Sequence, residues 1–463
     1  MRILFQLPYP GYLRIYGSTI DLLAERGHTV LLAYDKPGKR RDPAAVGVES
    51  RAGVHLVPSI PASARRYEQA VVKLRLGTDY VRYLDPAFAE SPYLRRRLDS
   101  HLPKGLGFLT RAPGNLRVAR PALRALLALE HLVPSDAGVE RAISAHEPAA
   151  LVVTPLIGRS RDGIRQTDAV KAARRLGIPV GLGVASWDHL TTKGVVKALP
   201  YQVFVWNEIQ RREAVGLHYV PPERVVVTGA QLFDGWFART PSTGRENFLS
   251  RLGLDASLPY VLFVGSSYNV APARKEIPFV RRWITALRGS SDPMLEQLSV
   301  LVRPHPGNVE EWAGVEWSGL GAAIAPRRRP GLPMDSEDEA LYYDSIHFAS
   351  AVVGINTSAM VESFIQQRPV LTIRASEFRD TQDGTLHFRH LLSASGGALQ
   401  TAATFEEHLG QLRSALEQPD LHRSEIDAFL RTFVRPHGLE RPATPVLADA
   451  IEALAGPERC DSL

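Results

Sequence analysis

The 463 residues contain one cysteine, Cys460. That excludes internal disulfides and cysteine-based metal sites, and it fits a reducing cytoplasm. No stretch approaches the ~20 consecutive apolar residues of a membrane span. The N-terminus, MRILFQLPYPGYL, lacks a charged region followed by an uninterrupted apolar run, so no signal peptide is expected. There is no short-period repeat and no low-complexity tract, which excludes a solenoid. There is no HxxxH or DxD-type cluster either, so no metal site is expected.

What is present is an ordinary globular composition, 44% hydrophobic and 22% charged, with a formal charge of +6. The length suits two or three domains. Arg95, Arg96, Arg97, Lys104, Arg111, Arg117, Arg120 and Arg124 crowd into 95–124, where Asp99 is the only acid. Such a cluster suits phosphates or an anionic membrane surface; it also suits an arginine-rich solvated helical face. It lacks the interleaved aromatics of a nucleic-acid surface, and no nucleic-acid partner is expected.

Apolar runs and breakers divide the rest. MRILFQL reads as a buried strand broken by Pro8, Pro10 and Gly11. Tyr16 to Arg26 reads as a helix stopped by Gly27-His28, and TVLLAY as the next strand. This βαβ unit predicts a parallel sheet. AALVVTPL, VGLGVAS, QVFVWN and RVVVTGA continue it, with a helix from Thr167 to Leu176 and a mostly helical stretch over 60–147. Past Phe237 the polar ARTPSTGRENFLSRLGLDASLP reads as a linker plus a helix, and a second series begins: PYVLFVGSS, LSVLVRPHP, GAAIAP, ASAVVGIN and RPVLTI, with a helix over 356–366. The expected layout is α/β with two Rossmann-like domains. The first spans 1–237, the second 238–420, and a helical tail, 421–463, packs back on the first.

Ligands of doubly wound sheets sit beyond the carboxyl ends of the strands, and polar clusters occur at those ends here. In the second half they are Gly265-Ser266-Ser267, Arg303 with His305, and Asn356-Thr357-Ser358. NTSAMVESF ends a strand and begins a helix, where free N–H groups and the dipole favour an anion. Glu362 follows Ser358 by one turn and can accept both hydroxyls of a ribose; the same residues also serve as an ordinary N-cap and a surface glutamate. In VLVRPHPGN the flanking prolines stiffen the backbone around His305. Its imidazole can donate to a phosphate or protonate a leaving phosphate, or bond a backbone carbonyl. In TQDGTLHF, Gln382 and Asp383 can hold donor hydroxyls or form an ordinary turn. In the first half the candidate bases are Asp188, His189 and Lys193 of ASWDHLTTKG, Gln231 and Asp234 of GAQLFDGW, and Asp162 and Asp168. Asp188 combines strand-end position with polar neighbours and is the first choice, although a helix cap suits it too. Trp187 suits an acceptor platform, and it and Trp236 also suit packing anchors.

RPHP followed by NTSAMVES…QRPV resembles the GT-B superfamily of nucleotide-sugar transferases. The His-Pro pair with a following serine motif is similar to bacterial sialyltransferases, Kdo transferases and CDP-glycerol glycerophosphotransferases. The S…E…RP layout resembles UDP-N-acetylglucosamine 2-epimerases. The resemblance is carried by about 259–375, and by LLAERGHTV at the fold level. It implies two domains facing each other across a cleft, phosphate contacts from His305 and Ser358, and a ribose contact from Glu362. Relatives with a histidine after strand one use it as the base; here that loop, PGYLRIYG, offers Tyr12 and Arg14.

The expectation is a cytoplasmic glycosyltransferase, peripheral on a membrane through 95–124. A nucleotide-activated sugar is its co-substrate, with no other cofactor and no metal. The donor would be held by Ser266, Ser267, Arg303, Asn356, Thr357, Ser358, Glu362, Gln382 and Asp383. The chemistry would fall to His305 and Asp188, and the glycan or glycolipid acceptor to Tyr12, Arg14, Trp187, His189 and Asp234. A CDP-alditol phosphotransferase, a hydrolysing UDP-sugar 2-epimerase and a catalytically silent binding protein are the alternatives.

Overall fold

The computed structural model describes residues 1–36, 51–102, 105–156, 161–315, 317, 319–328, 330 and 336–456, the side chains of 161–164 and 394 excepted. Lys104, Cys460 and the Asp162 side chain therefore lie outside the described residues. The chain forms two compact units, Met1–Asp234 with Arg431 onward, and Gly235–Leu430.

The first unit holds a seven-stranded sheet: β1 (Arg2–Leu7), β2 (Thr29–Tyr34), β3 (Val54–Leu56), β4 (Ala150–Val153), β5 (Val180–Gly183), β6 (Gln202–Val205) and β7 (Val225–Val227). The order is β3-β2-β1-β4-β5-β6-β7, with every pair parallel. The second holds β8 (Tyr260–Val264), β9 (Ser299–Arg303), β10 (Ala322–Ile324), β11 (Ala351–Gly354), β12 (Val370–Ile373) and β13 (Gln400–Ala402). Its order is β10-β9-β8-β11-β12-β13, again all parallel. Both are doubly wound, with the strand order reversing beside β1 in one and β8 in the other. Central strands such as YVLFV are buried along their whole length, because helices cover both faces of a parallel sheet and leave no polar side.

The first helix runs Leu13–Glu25, earlier than the expected 16–26, and stops where Gly27 takes φ +84°. The helix expected over 167–176 spans Arg161–Arg175, and that expected over 356–366 shortens to Ala359–Ile365. The stretch 60–147 carries four α-helices of 8–15 residues, Glu68–Arg82, Pro92–Asp99, Ala119–Leu132 and Ala137–Ser144. The expected tail divides differently. Arg423–Phe429 belongs to the second unit, where Phe429 packs edge-on against Phe364 at 5.1 Å. Only the chain from Arg431 returns to the first unit, where Leu447, Ala448, Ile451 and Leu454 of helix Ala443–Ala455 share a core with Ile15, Tyr16 and Ile20. Among the described residues no helix is long and apolar enough to cross a membrane.

Candidate functional site

The carboxyl end of the second sheet gathers the second-half candidates. Register pairs Val264 with Arg303 and with Gly354, so β8, β9 and β11 end side by side at the reversal point. The loops after them approach closely. A Cβ on Gly265 would lie 2.7 Å from the His305 amide nitrogen, so only glycine fits there.

Three of the expected donor ligands hold this edge together from inside. Ser266 is fully buried; its N–H donates to Glu276 Oε1 at 2.7 Å and its Oγ accepts the Asn356 N–H at 3.3 Å. Asn356, 3% exposed, turns its Nδ2 to the Thr381 carbonyl at 2.6 Å instead of capping the helix. Gln382 is fully buried, and its Nε2 reaches Ile355 O, Thr372 Oγ1 and Ile373 O at 3.1–3.2 Å, bracing the ends of β11 and β12. These bonds run to the protein, while Asn356 Oδ1 and Gln382 Oε1 are buried without a hydrogen-bond partner among the described residues. Asp383 pairs with Arg374 at 2.8 Å on the surface, and Gly384 answers a tight turn, since a Cβ there would lie 2.6 Å from Asp380 O.

The others face outward or carry an unmet demand. Arg303 is 6% exposed, and among the described residues no carboxylate pairs with it. Its Nη1 is buried without a hydrogen-bond partner, and its guanidinium stacks 4.4 Å from the Tyr342 ring centroid. Burial pushes Arg303 down to about 10, against the pull of Tyr342, Asp338 and Glu362. Tyr342 donates its hydroxyl to Glu362 Oε2. One chain of contacts thus joins the end of β9 to the helix after β11. His305 is half-buried, and its Nδ1 accepts the Gly307 N–H at 3.1 Å, so the neutral ring carries its proton on Nε2. Ser267 and Thr357 are half-buried and Ser358 is exposed.

Sequence reasoning missed Tyr342 and Glu276. Tyr342 lies in a polar helix, Ser336–His347, with no motif around it. Glu276 is fully buried; burial raises it to about 8, while the Ser266 N–H and the Trp312 indole pull it down. No periodicity marks it as different from a surface glutamate.

In the first unit the candidates are mostly satisfied. Asp188 accepts Ser186 Oγ at 2.5 Å and Thr192 Oγ1 at 2.8 Å, locking the turn after β5. Trp187 is 4% exposed and packs edge-on against Phe433, an anchor and not a platform. His189 is 7% exposed; burial holds it down to about 4, against Asp188 and with Lys193. Asp234 pairs with Arg435 at 2.8 Å and accepts the N–H groups of Ala443 and Thr444, capping the last helix. Full satisfaction makes Asp234 a clamp on the returning chain and removes it as an acceptor ligand. Asp168 is 1% exposed and sits between Arg65 and Arg75 at 3.0 and 2.8 Å, a buried charge network and not a base. Gln231 is likewise buried, its Nε2 on Ile15 O at 3.4 Å. Tyr12 is half-buried against Tyr9, and Arg14 is exposed. Sequence reasoning also missed Asp35 at the end of β2, which accepts Gln6 Nε2 at 2.7 Å and Gln166 Nε2 at 2.9 Å.

No protein-family model matches the chain, and no curated protein matches it in sequence. Solved structures do match. WaaG, a glycosyltransferase involved in lipopolysaccharide biosynthesis, is 13% identical over 98% of this chain and 100% of its own, with a TM-score of 0.50. A glycosyltransferase from Rickettsia africae is 8% identical over 99% of each chain, at 0.55. UDP-GlcNAc 2-epimerase from Neisseria meningitidis, bound to UDP-GlcNAc, is 11% identical over 98% of this chain and 100% of its own, at 0.50. At such identities the likeness is one of fold: two Rossmann-like units of the GT-B type, as the sequence resemblance implied.

Proposed function

We propose that the protein is a glycosyltransferase that moves a sugar from a nucleotide-activated donor to a glycan, glycolipid or small-molecule acceptor in glycoconjugate biosynthesis. The observation that carries this reading is Arg303, a buried guanidinium at a strand end with no ion-pair partner among the described residues and with Nη1 left without a hydrogen bond. Leaving a cation buried and unpaired is costly, and an anionic ligand at that edge offsets the cost. Arg303 and the Nε2–H of His305 would bind the donor's phosphates, with Thr357, Ser358 and Ser267 around them and Glu362 on the ribose. As the nucleotide leaves, negative charge grows where these fixed donors point, and preorganised donors lower that barrier. Neither a metal ion nor a resident cofactor enters this reading. For the acceptor, Tyr12 and Arg14 remain at the start of helix Leu13–Glu25, after β1; with Asp188 and His189 satisfied or buried, the base is left open.

The basic stretch supports a cytoplasmic protein held peripherally on anionic membrane. Arg96, Arg111, Arg117, Arg120 and Arg124 are exposed, and Phe108 and Val118 stand 65% and 66% exposed among them. Sedimentation with anionic vesicles at low salt, reversed as ionic strength rises, is the expected behaviour; equal binding to neutral vesicles would end it.

Thermal shift with CMP, CDP, UDP, GDP and ADP, followed by nucleotide release from the matching sugar donors, tests the main reading. Stabilisation by no nucleotide would overturn it. The UDP-GlcNAc bound in the Neisseria neighbour favours one second reading, a hydrolysing 2-epimerase. Release of UDP that needs no acceptor and yields the epimeric free sugar would select it.

A further inference from the structure

The opposite edge of the first sheet, where its strands begin, carries two adjoining cavities. One, of about 630 Å³, is lined by Arg124, Arg174, Arg175 and Arg224, with no carboxylate among its lining residues. The other, of about 550 Å³, is lined by apolar groups including Ile178, Pro179, Val180, Tyr201 and Leu454. Arg174, Leu199 and Arg224 belong to both walls. Each volume falls in the usual range of small-molecule sites.

The arginines are not used up by the fold. Arg174 and Arg224 reach single backbone carbonyls at 3.5 and 3.3 Å, and Arg124 lies 5.3 Å from the Tyr219 ring centroid. Among the described residues none of the four has a carboxylate partner. Basic groups near a helix C-terminus neutralise its dipole, and that accounts for Arg174 and Arg175 at the end of helix Arg161–Arg175. It does not account for Arg124, in the middle of helix Ala119–Leu132, nor for Arg224, which directly precedes β7.

We infer that these cavities form one ligand site for an anionic amphiphile, with a phosphate head among the arginines and an alkyl chain along the apolar wall. The chemistry requires both halves: four unpaired guanidinium groups bind a phosphate by charge-assisted hydrogen bonds, and the apolar wall removes a chain from water. The site lies at the amino ends of the strands and is independent of the carboxyl-end residues discussed above.

Calorimetric titration with monomeric dodecyl phosphate, dodecanol and inorganic phosphate tests it. Dodecyl phosphate should bind at one site at least tenfold tighter than either of the others. Arg174→Gln/Arg175→Gln, both exposed and outside 95–124, should weaken it tenfold or more with an unchanged melt. Ala455→Trp, which fills the apolar cavity, should remove the advantage over inorganic phosphate. Equal binding of dodecyl phosphate and dodecanol, no binding at all, or indifference to both variants would overturn the proposal. Vesicles of phosphatidylcholine with and without phosphatidic acid then separate the sources. Capture of the protein by phosphatidic acid, lost in the double variant, supports a bilayer lipid, and competition by soluble dodecyl phosphate without capture supports a free amphiphile.

Discussion

Both sheets place polar residues at the carboxyl ends of their strands, and the two units treat them differently. In the first, Asp35, Asp188 and Asp234 each receive several hydrogen bonds from neighbours, and Asp234 an ion pair as well. In the second, Arg303 is buried with a donor nitrogen left over, and His305 accepts the Gly307 N–H at Nδ1, which leaves the proton of the neutral ring on Nε2. Position at a strand end does not distinguish structure from site; a buried cation without an ion-pair partner is the sharper signal.

Breaking the satisfied edge should harm the fold and spare the chemistry. Asp234→Ala removes the ion pair to the buried Arg435 and uncaps the last helix, and should cost about 3–5 kcal/mol, read as a lower denaturation midpoint with normal turnover per folded molecule. At the other edge the outcome should reverse. His305→Ala should lower kcat roughly a hundredfold with little change in nucleotide affinity or melting; a destabilised variant with normal kcat would leave Arg-Pro-His-Pro as a structural corner. Glu362→Ala should weaken nucleotide binding by about 1.5–3 kcal/mol, and unchanged affinity removes the ribose role. Arg303→Met sharpens the contrast by sign. Removing a cation that burial already disfavours should raise the melting temperature by a few degrees while nucleotide affinity falls.

The remaining prediction concerns pH. Burial holds Glu276 at about 8 against an ordinary 4.5, so between those values the folded unit binds a proton that the unfolded chain does not. Stability should therefore fall as pH rises through that window, by at most ~1.4 kcal/mol per pH unit. Glu276→Gln should flatten the slope in pH-dependent denaturation.

The sequence made the central strands legible because burial on both faces writes a continuous apolar run. The edge strands β3 (VHL) and β13 (QTA) were not, since exposure leaves them polar and short. At the candidate site, RPHP and NTS marked loops that meet at one sheet edge, because glycine, proline and capping residues are local signals. Which side chains in those loops point inward is decided by tertiary contacts. Nothing within TQDGTLHF says that Gln382 spans two strand ends while its neighbour Asp383 meets Arg374 outside. Tyr342 reaches Glu362 across twenty residues of sequence, beyond any local pattern.

The last helix of the first unit follows the whole of the second in the chain. At synthesis rates of roughly 5–20 residues per second, the ~200 intervening residues occupy the ribosome for about 10–40 s. For that interval Ile15, Tyr16 and Ile20 wait on the nascent chain without the Leu447–Leu454 face that covers them. Of the two units, the one begun earlier is thus completed later, and a chaperone able to shield that apolar face for tens of seconds should raise the yield of native protein.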